Sequence, residues 1–257
     1  MIFDTHAHYD DEAFDEDREA LIAGLSGRGI GAVTNIGASI ATSESTVALT
    51  EKYEFFYGAV GVHPNETGAL TENDILHLKE LAARPKIVAI GEIGLDYYWD
   101  EPDRGIQKKW FFRQLELARE VSLPVVIHSR DAARDTLEIM KASRAGDMGG
   151  VIHCFSYGVE MAREYLNMGF FIGVGGVLTF KNARKLKEAA AYAPMEQIVL
   201  ETDCPYLAPV PYRGKRNSSL NLPLVAEELA RIKGITAEQV MEITWDNALR
   251  LYAIGKK

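Results

Sequence analysis

Eight short runs rich in β-branched and aromatic residues recur along the chain. They are IFDTH (2–6), AVTNIG (32–37), FFYGAVGV (55–62), IVAIGEIG (87–94), PVVIHS (124–129), GVIHCF (150–155), FFIGVGG (170–176) and IVLETD (198–203). Segments with helical periodicity separate them, over 15–28, 40–53, 72–83, 106–121, 134–143, 159–168 and 182–192, and two more follow over 222–233 and 237–252. Strand and helix alternating eight times over roughly 250 residues is the pattern of a (β/α)8 TIM barrel. A doubly wound open sheet would place a GxGxxG turn after its first strand. None follows residue 6, and the glycines of 58–63 and 173–176 have the wrong spacing. No proline- or serine-rich linker divides the 257 residues, so residues 1–257 are expected to form a single barrel domain.

Composition excludes several classes of protein. The chain is 47% hydrophobic and 25% charged, which is globular, and its net charge of −9 argues against a protein that coats nucleic acid without specificity. No apolar run reaches the roughly 18 residues of a membrane span, and the polar start does not read as a signal peptide. Two cysteines, Cys154 and Cys204, are too few for a disulfide framework. The expectation is a cytoplasmic protein, monomeric or weakly oligomeric.

The polar residues that interrupt the strands gather at one end. His6 and His8 fall at the end of strand 1, His63 after strand 3, Glu92 in strand 4, His128 at the end of strand 5, His153 in strand 6 and Asp203 at the end of strand 8. Barrel enzymes build their sites at these C-terminal ends. Five of the six histidines are in this group, and only His77 lies elsewhere. Strand alternation turns Asp4, His6 and His8 to one side, with His6 and His8 about 6.7 Å apart at Cα.

Any one strand histidine is as well explained by a hydrogen-bonded rim residue as by a metal ligand. Six convergent imidazoles and carboxylates are not. His6, His8, Glu92, His128, His153 and Asp203 suit a site for two divalent ions, with Glu92 able to bridge them. Asp4, deeper on the same face, reads as an orienting or interior polar group. Cys154 and Cys204 follow His153 and Asp203, so alternation is expected to turn both towards the helix layer.

The blocks THAH (5–8), GVHP (61–64), GEIGLDY (91–97), PVVIHSRDA (124–132), GVIHCFS (150–156) and LETDCPYLAP (200–209) resemble the TatD-type metal-dependent deoxyribonucleases of the amidohydrolase superfamily. The resemblance runs from the first strand to the WDNALRLY helix near the end. It implies one metal held by His6, His8, Glu92 and Asp203, a second held by Glu92, His128 and His153, and cleavage of DNA from the 3′ end. One block departs. The family's Arg-Asn-Glu-Pro after the last strand reads RNSSLNLP (216–223), which puts substrate contacts near that loop in question.

Phosphodiester hydrolysis by two ions, Mg²⁺, Mn²⁺ or Zn²⁺, needs a proton acceptor for the attacking water. Asp203 is the first choice and Glu201 the second. Loops after strands 7 and 8 often bind phosphate in barrels, and KNARKLK (181–187) and YRGKR (212–216) lie there. Arg184, Arg213, Lys215 and Arg216, with Arg130 and His63, are candidates to meet a DNA backbone, single-stranded or at frayed ends. Lys185 and Lys187 read as a solvated face. Tyr97, Tyr98 and Phe155 are candidates to stack on bases. The rival enzyme is a small-molecule hydrolase for lactones, amides or phosphoesters on the same centre. A silent scaffold would have no use for the six ligands.

Overall fold

The computed structural model describes residues 1–255. Eight parallel strands pair in chain order: β1 (Ile2–Ala7), β2 (Ile30–Ile36), β3 (Phe56–Val60), β4 (Ile87–Asp96), β5 (Val125–Arg130), β6 (Gly150–Ile152), β7 (Phe171–Val174) and β8 (Ile198–Leu200). The ring closes through a parallel bridge between Ala7 and Cys204 and the hydrogen bond from the His8 amide to the Cys204 carbonyl. The helices are α1 (Arg18–Ala23), α2 (Ile40–Lys52), α3 (Glu72–Ala82), α4 (Arg104–Val121), α5 (Ala133–Ala142), α6 (Val159–Asn167), α7 (Arg184–Tyr192), α8 (Leu222–Lys233) and α9 (Ala237–Leu251). The architecture is a (β/α)8 TIM barrel, as the strand–helix alternation requires.

Two apolar layers hold it. The outer layer packs residues such as Val33, Ile90 and Ile127 of the sheet against Leu78, Phe111 and Leu229 of the surrounding helices. The inner layer fills the barrel with Phe3, Ala32, Ala59, Val126, Val151 and Val199, closed by Ala248, Leu251 and Tyr252 around the end of α9. The Tyr252 hydroxyl donates to the Thr5 carbonyl at 2.7 Å. With the interior filled and α9 packed into it, polar chemistry is confined to the strands' C-terminal mouth.

Several strands end earlier than their apolar runs suggest, β3 among them at Val60. β6 stops at Ile152 and β8 at Leu200, so His153 and Asp203 lie just beyond their strands, and β7 stops at Val174. Cys154 and Asp203 take left-handed backbone angles, φ 43° and 57°, which breaks the alternation at both places. Helix α1 is also shorter than the pattern over 15–28. The acidic start of that pattern, Asp15 to Asp17, lies outside it, Gly24 caps the end of the helix, and Leu25 caps the start of a short 3₁₀ segment, Ser26–Arg28. Among the described residues no helix is long and apolar enough to cross a membrane.

Candidate metal centre

The six expected ligands meet around the carboxylate of Glu92. His6 Nε2 and His8 Nε2 are 3.1 Å apart, and each is within 3.4–3.8 Å of Glu92 Oε2 and Asp203 Oδ1. On the other side of the carboxylate, Glu92 Oε1 lies 2.6 Å from His153 Nε2 and 2.8 Å from His128 Nδ1, and those two nitrogens are 3.1 Å apart. Glu92 therefore turns one oxygen to each half of the cluster.

Neighbouring groups fix which nitrogen each ring presents. The His8 Nδ1–H donates to the Ile36 carbonyl at 2.9 Å, leaving Nε2 to the centre. His128 is turned the other way, with Nε2 3.1 Å from Asp96 Oδ2 and Nδ1 inward. Asp96 escaped the reading of the sequence, which ended strand 4 at Gly94. Its signal was there: Glu92, Gly94 and Asp96 share one face by alternation, and β4 runs to Asp96. His63 Nδ1 accepts from the Asn65 amide at 3.2 Å, so its proton sits on Nε2, 3.8 Å from Glu92 Oε1. That ring is a donor at the edge of the centre.

Asp4 forms the floor. Fully buried, it accepts from the Thr202 amide and hydroxyl at 3.0 and 2.7 Å, from the Ser219 hydroxyl at 2.6 Å and from the His6 amide at 3.3 Å. Burial raises its pKa to about 6, against these hydrogen bonds. The altered RNSSLNLP loop thus supports the centre from below: Ser219 binds Asp4, and the Asn217 amide group donates to the Thr202 carbonyl at 3.1 Å.

Charge in the cluster is strongly redistributed. Burial disfavours charge on Glu92, but the charge of His153 and its other histidine neighbours hold its pKa well below the usual range. Burial opposes a proton on His8 and His153 too, yet the Asp203 carboxylate lifts His8 to about 9 and the Glu92 carboxylate lifts His153 to about 10. His6, buried and beside His153, falls to about 4. Burial lifts Glu201 to about 8. Paired imidazole nitrogens 3.1 Å apart repel unless a proton or a cation lies between them. A nitrogen-rich donor set with carboxylates fits a borderline divalent ion such as zinc or manganese.

Around the mouth the expected substrate residues divide. Arg130 stacks on Tyr98, 3.8 Å from the ring centroid, and Arg213 stacks on Phe180 at 4.4 Å. Neither makes an ion pair among the described residues. Arg216 forms a two-pronged pair with Asp17 at 2.6 and 2.7 Å and also donates to the Ala13 carbonyl, so it braces the loop after β8 against the chain before α1. Arg184 pairs with Glu188 on an exposed helix face. Lys187, read as solvated, instead pairs with Glu228 of α8 at 2.8 Å.

Phe155 is 2% exposed and packs on Tyr157 and Tyr165, which removes it from any contact with bases. Tyr97 gives its hydroxyl to Asp135. Tyr98 remains open, joined by Trp99, Tyr206 and Tyr212, none of the last three singled out in the sequence. Cys204 is in the core as expected. Cys154 is not in the helix layer. With its strand already ended, it sits half-buried where burial and then the charges of Asp203, Glu201 and Glu92 keep its thiol protonated.

A barrel with this histidine–carboxylate cluster at its mouth defines the class of metal-dependent hydrolases, and comparison with known proteins narrows it. The model of the TatD related DNase family matches residues 3–253. A Bacillus subtilis protein described as the uncharacterized metal-dependent hydrolase YabD is 43% identical over 255 residues, covering 99% of this chain and all of that one. The Escherichia coli K12 protein YcfH, described in the same words, is 36% identical over 260 residues, covering 99% of this chain and 96% of its own. The crystal structure of the TatD homologue YjjV from E. coli K12 superposes with a TM-score of 0.92 at 29% identity, covering 98% of both chains. The chain belongs to the TatD related DNase family, and is a metal-dependent hydrolase of that family.

Proposed function

We propose that this protein is a deoxyribonuclease that cleaves DNA phosphodiester bonds from the 3′ end, acting as one domain over residues 1–257. The observation that carries the reading is the division of the five other ligands about Glu92, with His6 and His8 near one oxygen and Asp203 beside those two rings, and His128 and His153 near the other oxygen. Two divalent ions held there, whether Mg²⁺, Mn²⁺ or Zn²⁺, supply Lewis acidity for the phosphate and a lowered pKa for the attacking water.

The chain's own residues do the rest. Asp203 accepts the proton from the attacking water, because its side chain is 18% accessible while those of Glu92 and Glu201 are 4% and 1%. His63 offers its Nε2–H to a phosphate oxygen. Arg130 and Arg213, free of carboxylates and braced on aromatic rings, hold the backbone on either flank. The exposed rings of Trp99, Tyr206 and Tyr212 suit unpaired bases, hence single strands or frayed ends, while Tyr98 already carries Arg130. The rival reading, a hydrolase of small lactones, amides or phosphoesters, draws support from one observation: Asp17 occupies Arg216, leaving fewer cations for a polyanion.

The test is purified protein with each metal against end-labelled single- and double-stranded DNA, with RNA and small esters alongside. Metal-dependent shortening of the single strand from its 3′ end is expected. Asp203→Asn should slow it by about 10²–10⁴-fold at saturating metal. Turnover of the small esters with intact DNA would transfer the assignment to the rival.

A further inference from the structure

His6 and His153 belong to different halves of the centre, yet they are neighbours. Their rings stack with centroids 3.9 Å apart and planes 13° from parallel. Both present Nε2 to Glu92, at 3.5 Å for His6 and 2.6 Å for His153. Their other nitrogens are both buried and without a partner, and so is Oε2 of Glu201. A ring nitrogen of each histidine and a carboxylate oxygen of Glu201 lie within 4.8 Å of one another.

Three buried polar atoms without partners, on three side chains that approach one another this closely, call for a common explanation. An imidazole that gives its Nε2 lone pair to a cation carries its proton on Nδ1 and needs an acceptor there. Glu201 is the carboxyl group in reach, and two N–H donors with two cations beyond them favour its ionised form. Its Oε1 accepts from the Cys154 amide and lies 3.8 Å from His153 Nδ1, a small side-chain rotation from a hydrogen bond. The barrel makes room for it: a Cβ on Gly173 of β7 would come within 2.2 Å of Glu201 Oε2. At 1% exposure Glu201 cannot touch a substrate, so its role is to orient other groups.

We propose that Glu201 is a positioning residue shared by both halves of the metal centre, its carboxylate accepting Nδ1–H from His6 and from His153 and holding both rings with Nε2 towards the ions. The inference rests on the two-ion reading above. It predicts that one buried carboxylate, touching neither ion, governs the affinity for both.

Calorimetric titration of the full-length protein with Zn²⁺ tests it, with ¹⁵N NMR of the histidine rings as a second readout. Wild type should take up two ions and show Nδ1-protonated rings for His6 and His153. Glu201→Gln, which keeps the shape but leaves one acceptor oxygen, should weaken both binding constants by about 10–100-fold and shift both ring signals. Gly173→Ala, which displaces the carboxylate without altering it, should act in the same direction. His8→Ala serves as the contrast, weakening one constant alone. Unchanged constants and ring signals in Glu201→Gln overturn the proposal, and a loss confined to one constant overturns the sharing. A wild type that takes up a single ion overturns the two-ion reading itself and the sharing with it.

Discussion

His8 and His153 are pushed to about 9 and 10, so both carry a proton at pH 7 when no ion is bound, while His6, at about 4, is already neutral. A metal ion requires neutral imidazoles, so loading at pH 7 must expel the protons of His8 and His153, and His128, where burial is outweighed by the bonds to Asp96 and Glu92 that raise its pKa, adds in the same direction. The sign follows: metal affinity rises with pH through 7 and levels off above about 9 to 10, where the rings have already lost their protons. Titration with Zn²⁺ at pH 7 in buffers of different ionisation heat should report net proton release, shrinking towards pH 10. Uptake without proton release would mean that these rings are neutral in the unloaded site.

At the scale of elements, the helices are held by polar ties laid over the apolar layer. Lys187 of α7 reaches Glu228 of α8 at 2.8 Å, and Glu228 also accepts from Arg231. The Arg231 hydrogen bond leads, burial opposes it, and the hydrogen bond and charge of Lys187 add to it, lowering the Glu228 pKa to about 2. A depressed carboxyl adds stability above its unfolded pKa near 4.5 and loses it as pH falls through 2. Lys187→Met should lower stability by no more than about 1 kcal/mol at pH 7, since the pair is only partly buried. In urea unfolding, the difference from wild type should fade as pH drops from 5 towards 2. A difference constant across that range would show that Lys187 acts through packing of its stem.

Over the whole molecule, charge and site pull in opposite directions. A net charge of −9 repels DNA at long range, so attraction has to come from a few cations at the mouth. Arg130 and Arg213 stand without carboxylate partners there, whereas Arg216 is neutralised by Asp17. Binding of a single-stranded oligonucleotide should therefore weaken with salt. Arg130→Ala and Arg213→Ala should each reduce the slope of log K against log salt by about 0.7, the value per phosphate contact on a single strand. Arg216→Ala should change the slope less, its main effect being to loosen the loop after β8. Equal slopes in all three variants and wild type would remove the backbone contacts from the proposal.

The barrel was legible in the sequence because hydrophobic periodicity is local: a strand or helix is read from its own residues, and eight alternations leave little choice of topology. The convergence of His6, His8, Glu92, His128, His153 and Asp203 followed from the same map, since strands of a barrel end at one mouth. Tertiary structure alone decided what depends on contacts between distant segments. Arg213 and Arg216 stand three apart in one loop, yet one rests on Phe180 and the other is held by Asp17, nearly two hundred positions away. Phe155 and Tyr98 look alike as rim aromatics, and only packing buries the first. Cys154 departs from strand alternation because its backbone turns left-handed where β6 has already ended. Glu201 reads as a carboxylate one alternation before Asp203. Its place beneath His6 and His153 exists only because β7 supplies a glycine there, and no local pattern records which strands will be neighbours in that layer.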